Sequence, residues 1–215
     1  MSGKPGEAQL GFDDDGCELL TYIPGVSGRD SWAKVVLEDG LAAFARLLRA
    51  YHEAVAGYRP TTAEWATVEK SLEDGEVICH GDFGPWNVVW QGSDPVGIID
   101  WDLAGPRPPL HDVAYALEYA VPFRDDEECR KWLAHPEPPD RARRMEAFAG
   151  AYGLTSVVGL VDAVVAVQRE SIRAVGTLAE RGQQPQMDWV ANGYLEELAR
   201  RVEWSEANRD LFERA

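Results

Sequence analysis

Between Trp32 and Tyr58 apolar residues return at helical spacing (Leu41, Phe44, Ala45, Leu48, Tyr51, Val55), which predicts an amphipathic helical stretch that Gly40 is expected to divide in two. Thr61-Thr62 with Glu64 reads as the start of another helix carrying Trp65, Val68 and Leu72 and ending at Asp74-Gly75. The pattern then changes. From Glu76 to Asp102 short β segments are predicted at Val77–Cys79, Val88–Gln91 and Val96–Ile99, with Gly92-Ser93-Asp94-Pro95 as a turn. Helical spacing resumes at Leu110, and helices are predicted over Leu110–Ala120, Glu127–Leu133, Asp140–Tyr152, Thr155–Arg181 and Asp188–Val202. Ahead of all these, Gly3 to Gly16 is rich in Gly and Asp, and Cys17 to Ile23 is a short apolar run closed by Pro24-Gly25, a single strand with no obvious partner. The fold class is therefore α+β: mainly α, with a small β-hairpin set among helices.

With 215 residues and 45% hydrophobic content, the chain can bury a core of its own, and one main domain is expected. Thirty-seven acidic against twenty-one basic residues give a formal charge of −16, which argues against a nucleic-acid or anionic-membrane partner. The same charge fits either attraction of a cationic small molecule or plain solubility, because net charge carries no location. The opening residues show no basic segment followed by an apolar run, and Asp162 interrupts the apolar stretch Val157–Val167, so a soluble, cytoplasmic protein is expected. Cys17, Cys79 and Cys129 are far apart and odd in number, which suits free thiols.

Candidate chemistry concentrates in the β segment. Asp82 and Asn87 are separated by four residues rich in Gly and Pro, directly after a predicted strand, where backbone can turn and polar side chains converge. Antiparallel pairing of Val88–Gln91 with Val96–Ile99 would return Asp100 beside Asn87. An Asn carbonyl and an Asp carboxylate form a half-site for Mg2+, which fills its shell with water and phosphate oxygens. Asp82 is then free to accept a hydrogen bond from a substrate hydroxyl and orient it toward the terminal phosphate of ATP or another nucleoside triphosphate. The expected reaction is phosphoryl transfer.

The run Cys79-His80-Gly81-Asp82-Phe83-Gly84-Pro85-Trp86-Asn87, followed by Ile98-Ile99-Asp100-Trp101-Asp102, resembles the aminoglycoside phosphotransferase and choline kinase group of kinase-like folds. From about Gly11 onward the chain is similar to the carboxy-terminal lobe of that fold. The resemblance implies that Asp82 is the catalytic base or hydroxyl-orienting group, that Asn87 and Asp100 are the magnesium ligands, and that the acceptor is an aminoglycoside-like or amino-alcohol-like small molecule. It also implies that His80 packs behind the loop, although in isolation it reads as a general base. Asp102 either supports the metal ligands or is a solvated residue at the hairpin exit. Trp86 and Trp101 read as packing rather than ligand stacking. Asp112 is a favourable acid in the first turn of its helix, and the resemblance adds that it accepts hydrogen bonds from the catalytic-loop backbone. His52, His111 and His135 lack metal-ligand spacing and read as ordinary surface or helix residues.

The amino-terminal lobe of that family carries a glycine-rich hairpin, a phosphate-pairing Lys and a helix Glu, and none is visible here. Lys4, Lys34, Lys70 and Lys131 are the only lysines, and none has the required place; Gly3-Lys4-Pro5-Gly6 is not a nucleotide loop. Residues 1–28 are therefore expected to be a remnant of that lobe's last strand and hinge, and residues 29–215 the helical lobe with catalytic loop and hairpin. By analogy with family hinges, the main chain of Leu20, Thr21, Tyr22 and Ile23 would face adenine; otherwise the strand merely covers the core. Three functions compete: an active phosphotransferase, a non-catalytic binding or regulatory module of the same fold, and a fragment of a longer enzyme. An oligomer or a partner supplying the amino-terminal lobe would bring the missing phosphate grip from elsewhere.

Overall fold

Leu41, Phe44, Ala45, Leu48 and His52 fall on one buried face of the first long helix, α1 (Glu38–Val55), and that face organises the core. The computed structural model describes residues 9–60, 64–68 and 70–213. Phe44 stacks on Phe83 of the Asp82 loop at 4.8 Å and meets Phe148 edge-on at 6.2 Å. A 3-10 helix, Gly28–Val35, precedes α1. The break expected at Gly40 falls instead at Val36-Leu37, and Gly40 lies inside α1, where a Cβ would come within 1.8 Å of the Lys34 carbonyl oxygen.

Among the described residues six short strands pair in twos: β1 (Gln9–Phe12) with β2 (Glu18–Leu20), β3 (Val77–Cys79) with β6 (Gly105–Arg107), and β4 (Val88–Gln91) with β5 (Asp94–Ile98), all antiparallel. The strand read as lacking a partner therefore has one, and β6 is a strand that Gly-Pro-Arg composition does not announce. In β4–β5 the turn is Gly92-Ser93 alone, since Asp94 already pairs with Gln91. Val26 bridges Trp90 and fastens the β1–β2 segment to this hairpin; Gly25 permits the approach, because a Cβ there would lie 2.6 Å from the Trp90 carbonyl oxygen.

The remaining helices are α2 (Leu110–Ala120), α3 (Asp126–Trp132), α4 (Arg141–Tyr152), α5 (Leu160–Glu180), α6 (Gln186–Ala191) and α7 (Tyr194–Ala207). Asp125 and Asp140 cap α3 and α4 through their side chains, and Gly153 in left-handed conformation ends α4. Asn192-Gly193, with Gly193 at φ 82°, splits the single helix expected over Asp188–Val202. α1 packs on α4, and α5 packs on both α2 and α7. Arg144 pins three segments together by donating to the carbonyls of Val35, Val36 and Ala120, and burial lowers its guanidinium to about 10.

No helix forms among the described residues from Glu64 to Leu72; Thr61 and Thr62, its expected start, lie outside them, as does Gly3-Lys4-Pro5-Gly6. Side chains from elsewhere use this stretch instead: Arg107 donates to Thr67 Oγ1 at 2.9 Å and Arg181 to the Ala66 carbonyl at 3.0 Å. The result is the α+β, carboxy-terminal-lobe arrangement of a kinase-like fold. No described helix is long and apolar enough to cross a membrane. Cys17 is exposed, Cys79 and Cys129 are buried, and all three are free thiols.

Candidate active site

The loop between β3 and the 3-10 turn Pro85–Asn87 is held from behind and open in front. Behind it, the wholly buried Asp112 accepts hydrogen bonds from the backbone N–H of His80 at 2.7 Å and of Gly81 at 2.9 Å. His52 donates to Asp112 Oδ2 at 3.1 Å while its Nδ1 accepts from the Tyr152 hydroxyl at 2.8 Å. Burial opposes charge on Asp112, yet the donors around it, His111 and His52 foremost, hold its carboxyl far below the usual carboxylate range. His52 is therefore a buried residue of α1 that links α1 and α4 to the loop. His52, Cys79 and Asp112 lie close enough to resemble a metal cluster. Their polar atoms are already bonded within the protein, however, the Cys79 thiol donating to the Pro108 carbonyl.

His80 is buried. Its Nδ1 accepts from the Asp82 N–H at 3.2 Å and its Nε2 faces the Ile99 carbonyl at 3.0 Å, so the Nε2–H tautomer satisfies both partners. Trp101 packs on its ring at 4.7 Å. Gly81 adopts φ 83°, and a Cβ there would lie 2.1 Å from the Leu103 carbonyl oxygen, so both conformation and space require glycine.

In front, Asp82 opens onto a cavity of about 980 Å³ also lined by Asp100, Asp102, Trp86 and Tyr115. Asp82 Oδ1 accepts from the Tyr115 hydroxyl; Oδ2 accepts from Asn87 Nδ2 at 2.9 Å and Trp86 Nε1 at 3.3 Å. Burial raises the Asp82 carboxyl above its ordinary value; the Tyr115 and Trp86 bonds oppose that shift, and the nearby Asp100 charge adds to it. Asn87 spends Nδ2 on Asp82, which leaves Oδ1 as its ligand oxygen.

The hairpin register differs from the expected one by a residue. Val88 pairs with Ile98, and the Ile99 N–H donates to the Asn87 carbonyl at 3.0 Å, so Asp100 lies one position past the residue opposite Asn87. Asp100 takes the left-handed conformation, φ 66°, an uncommon backbone state that recurs at functional sites. Asp102 is exposed on the cavity rim. Leu20, Thr21, Tyr22 and Ile23 are not among the residues that line the cavity, and Tyr22 is 82% exposed.

Two contacts lie beyond the reach of sequence reasoning. Trp86, read as packing, does meet Trp32 and Tyr119 but also bonds Asp82 directly. Tyr115 carries no motif of its own, although it stands three residues after Asp112 on α2, the spacing that places both on one helix face.

An Asn carbonyl and two neighbouring carboxylates, one raised partly by the other, suit a hard divalent cation such as Mg2+. Residues 56–147 match the model of the phosphotransferase enzyme family. The trifolitoxin immunity protein of Rhizobium leguminosarum bv. trifolii is 30% identical over 167 residues, covering 75% of this chain and 62% of that protein. The chain thus spans less than two thirds of the length of this relative. The family match includes Asp82, Asn87, Asp100 and Asp112 together with the loop that joins them, so over this segment the chain is similar to the phosphotransferase enzyme family.

Proposed function

We propose that this protein transfers the terminal phosphoryl group of ATP to a hydroxyl of a small molecule, with Asp82 as the group that receives the hydroxyl proton. The supporting observation is the posture of Asp82: three donors fix its carboxylate at the mouth of a large cavity, and burial raises its affinity for a proton. The acceptor oxygen bonds to the terminal phosphorus as the bond to the bridging oxygen breaks, ADP leaves, and the hydroxyl proton passes to Asp82. Asn87 and Asp100 would hold Mg2+, which when bound neutralises phosphate charge. Tyr115 and Trp86 keep the carboxylate aimed into the cavity; Asp112 keeps the loop in shape from behind.

A second reading, a binding module without turnover, is favoured by the lysines. Lys34 donates to the Gly92 carbonyl, Lys70 pairs with Glu76, and Lys131 lies over Trp132, so these described lysines are all engaged elsewhere. Phosphorus NMR of the chain with magnesium-ATP and a panel of cationic, neutral and anionic hydroxyl compounds, aminoglycosides and amino alcohols included, separates the two. The phosphotransferase reading expects a new phosphomonoester that Asp82→Asn abolishes; transfer unaffected by Asp82→Asn, or none to any hydroxyl, contradicts it.

A further inference from the structure

The cavity in front of Asp82 continues past an aromatic wall to an arginine-lined end. Trp86 and Tyr119 form that wall, in edge-on contact at 4.7 Å. Behind Tyr119 lies Arg124, only 5% exposed, its guanidinium 4.5 Å over the Tyr119 ring. Its Nε and Nη2 have no hydrogen-bond partner, and Glu118 Oε1 stands 3.6 Å from Nη2, too far for a bond. Glu118 is itself buried, and burial raises its carboxyl although the charges of Arg124 and Arg201 lower it. Arg201 of α7 lines the same cavity; its Nη2 is bonded to Glu197, and its Nε is without a partner.

Arg124 and Arg201 both line this cavity and each keeps a buried guanidinium nitrogen without a hydrogen-bond partner, a costly state that an acceptor group entering there would relieve. A planar carboxylate is the geometric complement of a guanidinium fork, whereas an ammonium group would be repelled.

Resting on the phosphotransferase reading, we propose that the acceptor is a hydroxy acid: its carboxylate is met by Arg124 and Arg201, its apolar body lies along Trp86 and Tyr119, and its hydroxyl reaches Asp82. This departs from the cationic acceptors that the family resemblance implied. Glu128 and Glu197 also line the cavity, but Glu197 is already bonded to Arg201, which leaves Arg124 as the better anchor.

The test uses three compounds of one skeleton, phenyllactate, phenyllactamide and the corresponding amino alcohol, titrated calorimetrically into the full chain. Phenyllactate should bind about tenfold tighter than the amide, with the amino alcohol weakest. Arg124→Gln should abolish that order and Arg201→Gln should weaken it. Thermal unfolding checks that each variant folds, and if Arg124→Gln does not, Arg201→Gln carries the comparison. Equal affinities, a preference for the amino alcohol, or a phenyllactate preference indifferent to both substitutions overturns the proposal. Magnesium-ATP affinity should be the same in Arg124→Gln as in wild type; loss there with a flat compound series assigns the guanidinium to nucleotide and also overturns it. If phenyllactate binds as expected but no hydroxyl compound is phosphorylated, the arginine site stands and the phosphotransferase reading falls. If the amino alcohol is phosphorylated and phenyllactate does not bind, the phosphotransferase reading stands and the arginine site falls.

Discussion

Asp112 and Asp82 are carboxylates on opposite sides of one loop, and their surroundings give them opposite tendencies. Asp112 is sealed from water and met by backbone and histidine donors, so its charge is favoured in the folded state and its carboxyl is depressed. Asp82 is half-buried beside Asp100, and its three side-chain donors do not offset desolvation, so its carboxyl is raised. Burial by itself therefore does not decide what a carboxylate does; the kind of neighbours that burial brings with it does, histidines on Asp112 against neutral donors and the like-charged Asp100 on Asp82. The first residue holds a shape and the second keeps an appetite for a proton.

The largest expected effect tests that division on the cavity side. Asp82→Asn should lower phosphoryl transfer by about a thousandfold, within the range that loss of a general base gives, while leaving the melting temperature at or slightly above wild type. Assay and thermal unfolding on the same sample would check it; a variant that melts early would make Asp82 a structural residue. On the other side, Asp112→Ala strands two backbone N–H groups and a histidine. It should cost about 3 kcal/mol of stability, or roughly 6–12 °C in melting temperature for a domain of this size.

Acid sharpens the contrast because the two shifts have opposite signs. The stability owed to the depressed Asp112 is present above about pH 4, the unfolded carboxylate value, and is lost as pH falls below it. For the raised Asp82 the linkage reverses: its contribution is complete below about pH 4 and fades as pH rises through the higher folded value. Urea unfolding across pH should show the deficit of Asp112→Asn shrinking toward acid. The advantage of Asp82→Asn should grow toward neutrality. The smallest effect is expected from Tyr115→Phe, which removes one bond to Asp82: about 1 kcal/mol of stability. The rising limb of the pH–rate profile should also move to higher pH, since the Tyr115 bond lowers the Asp82 carboxyl.

Helical periodicity finds α2 with its observed bounds and places α3, α4 and α5 within a few residues, because amphipathic spacing and caps are local signals. It fails at Glu64–Leu72, where side chains from distant segments compete for the backbone and hydroxyl groups that a helix would have used. β6 is invisible for a related reason, since Gly105-Pro106-Arg107 is made a strand by pairing with β3 and not by its own propensity. The hairpin is recognisable but its register is not: Asp94-Pro95, which reads as turn chemistry, is already strand, and this moves the partner of Asn87 from Asp100 to Ile99. In the site, residues grouped by loop spacing are accessible to reasoning, whereas Tyr115 and Arg201 reach the cavity from helices and Arg124 from the connection between α2 and α3, and all three require the tertiary arrangement.

The cavity-facing side of the loop is a phosphoryl-transfer centre only if it takes a divalent ion together with nucleotide. Titration of the chain with manganese and ATP, followed by water-proton relaxation, addresses this without knowledge of the acceptor. Wild type and Asp82→Asn should bind the manganese–nucleotide pair alike, while Asn87→Ala and Asp100→Ala should lose about tenfold or more in affinity. The same affinity in all four proteins would contradict the assignment of the site.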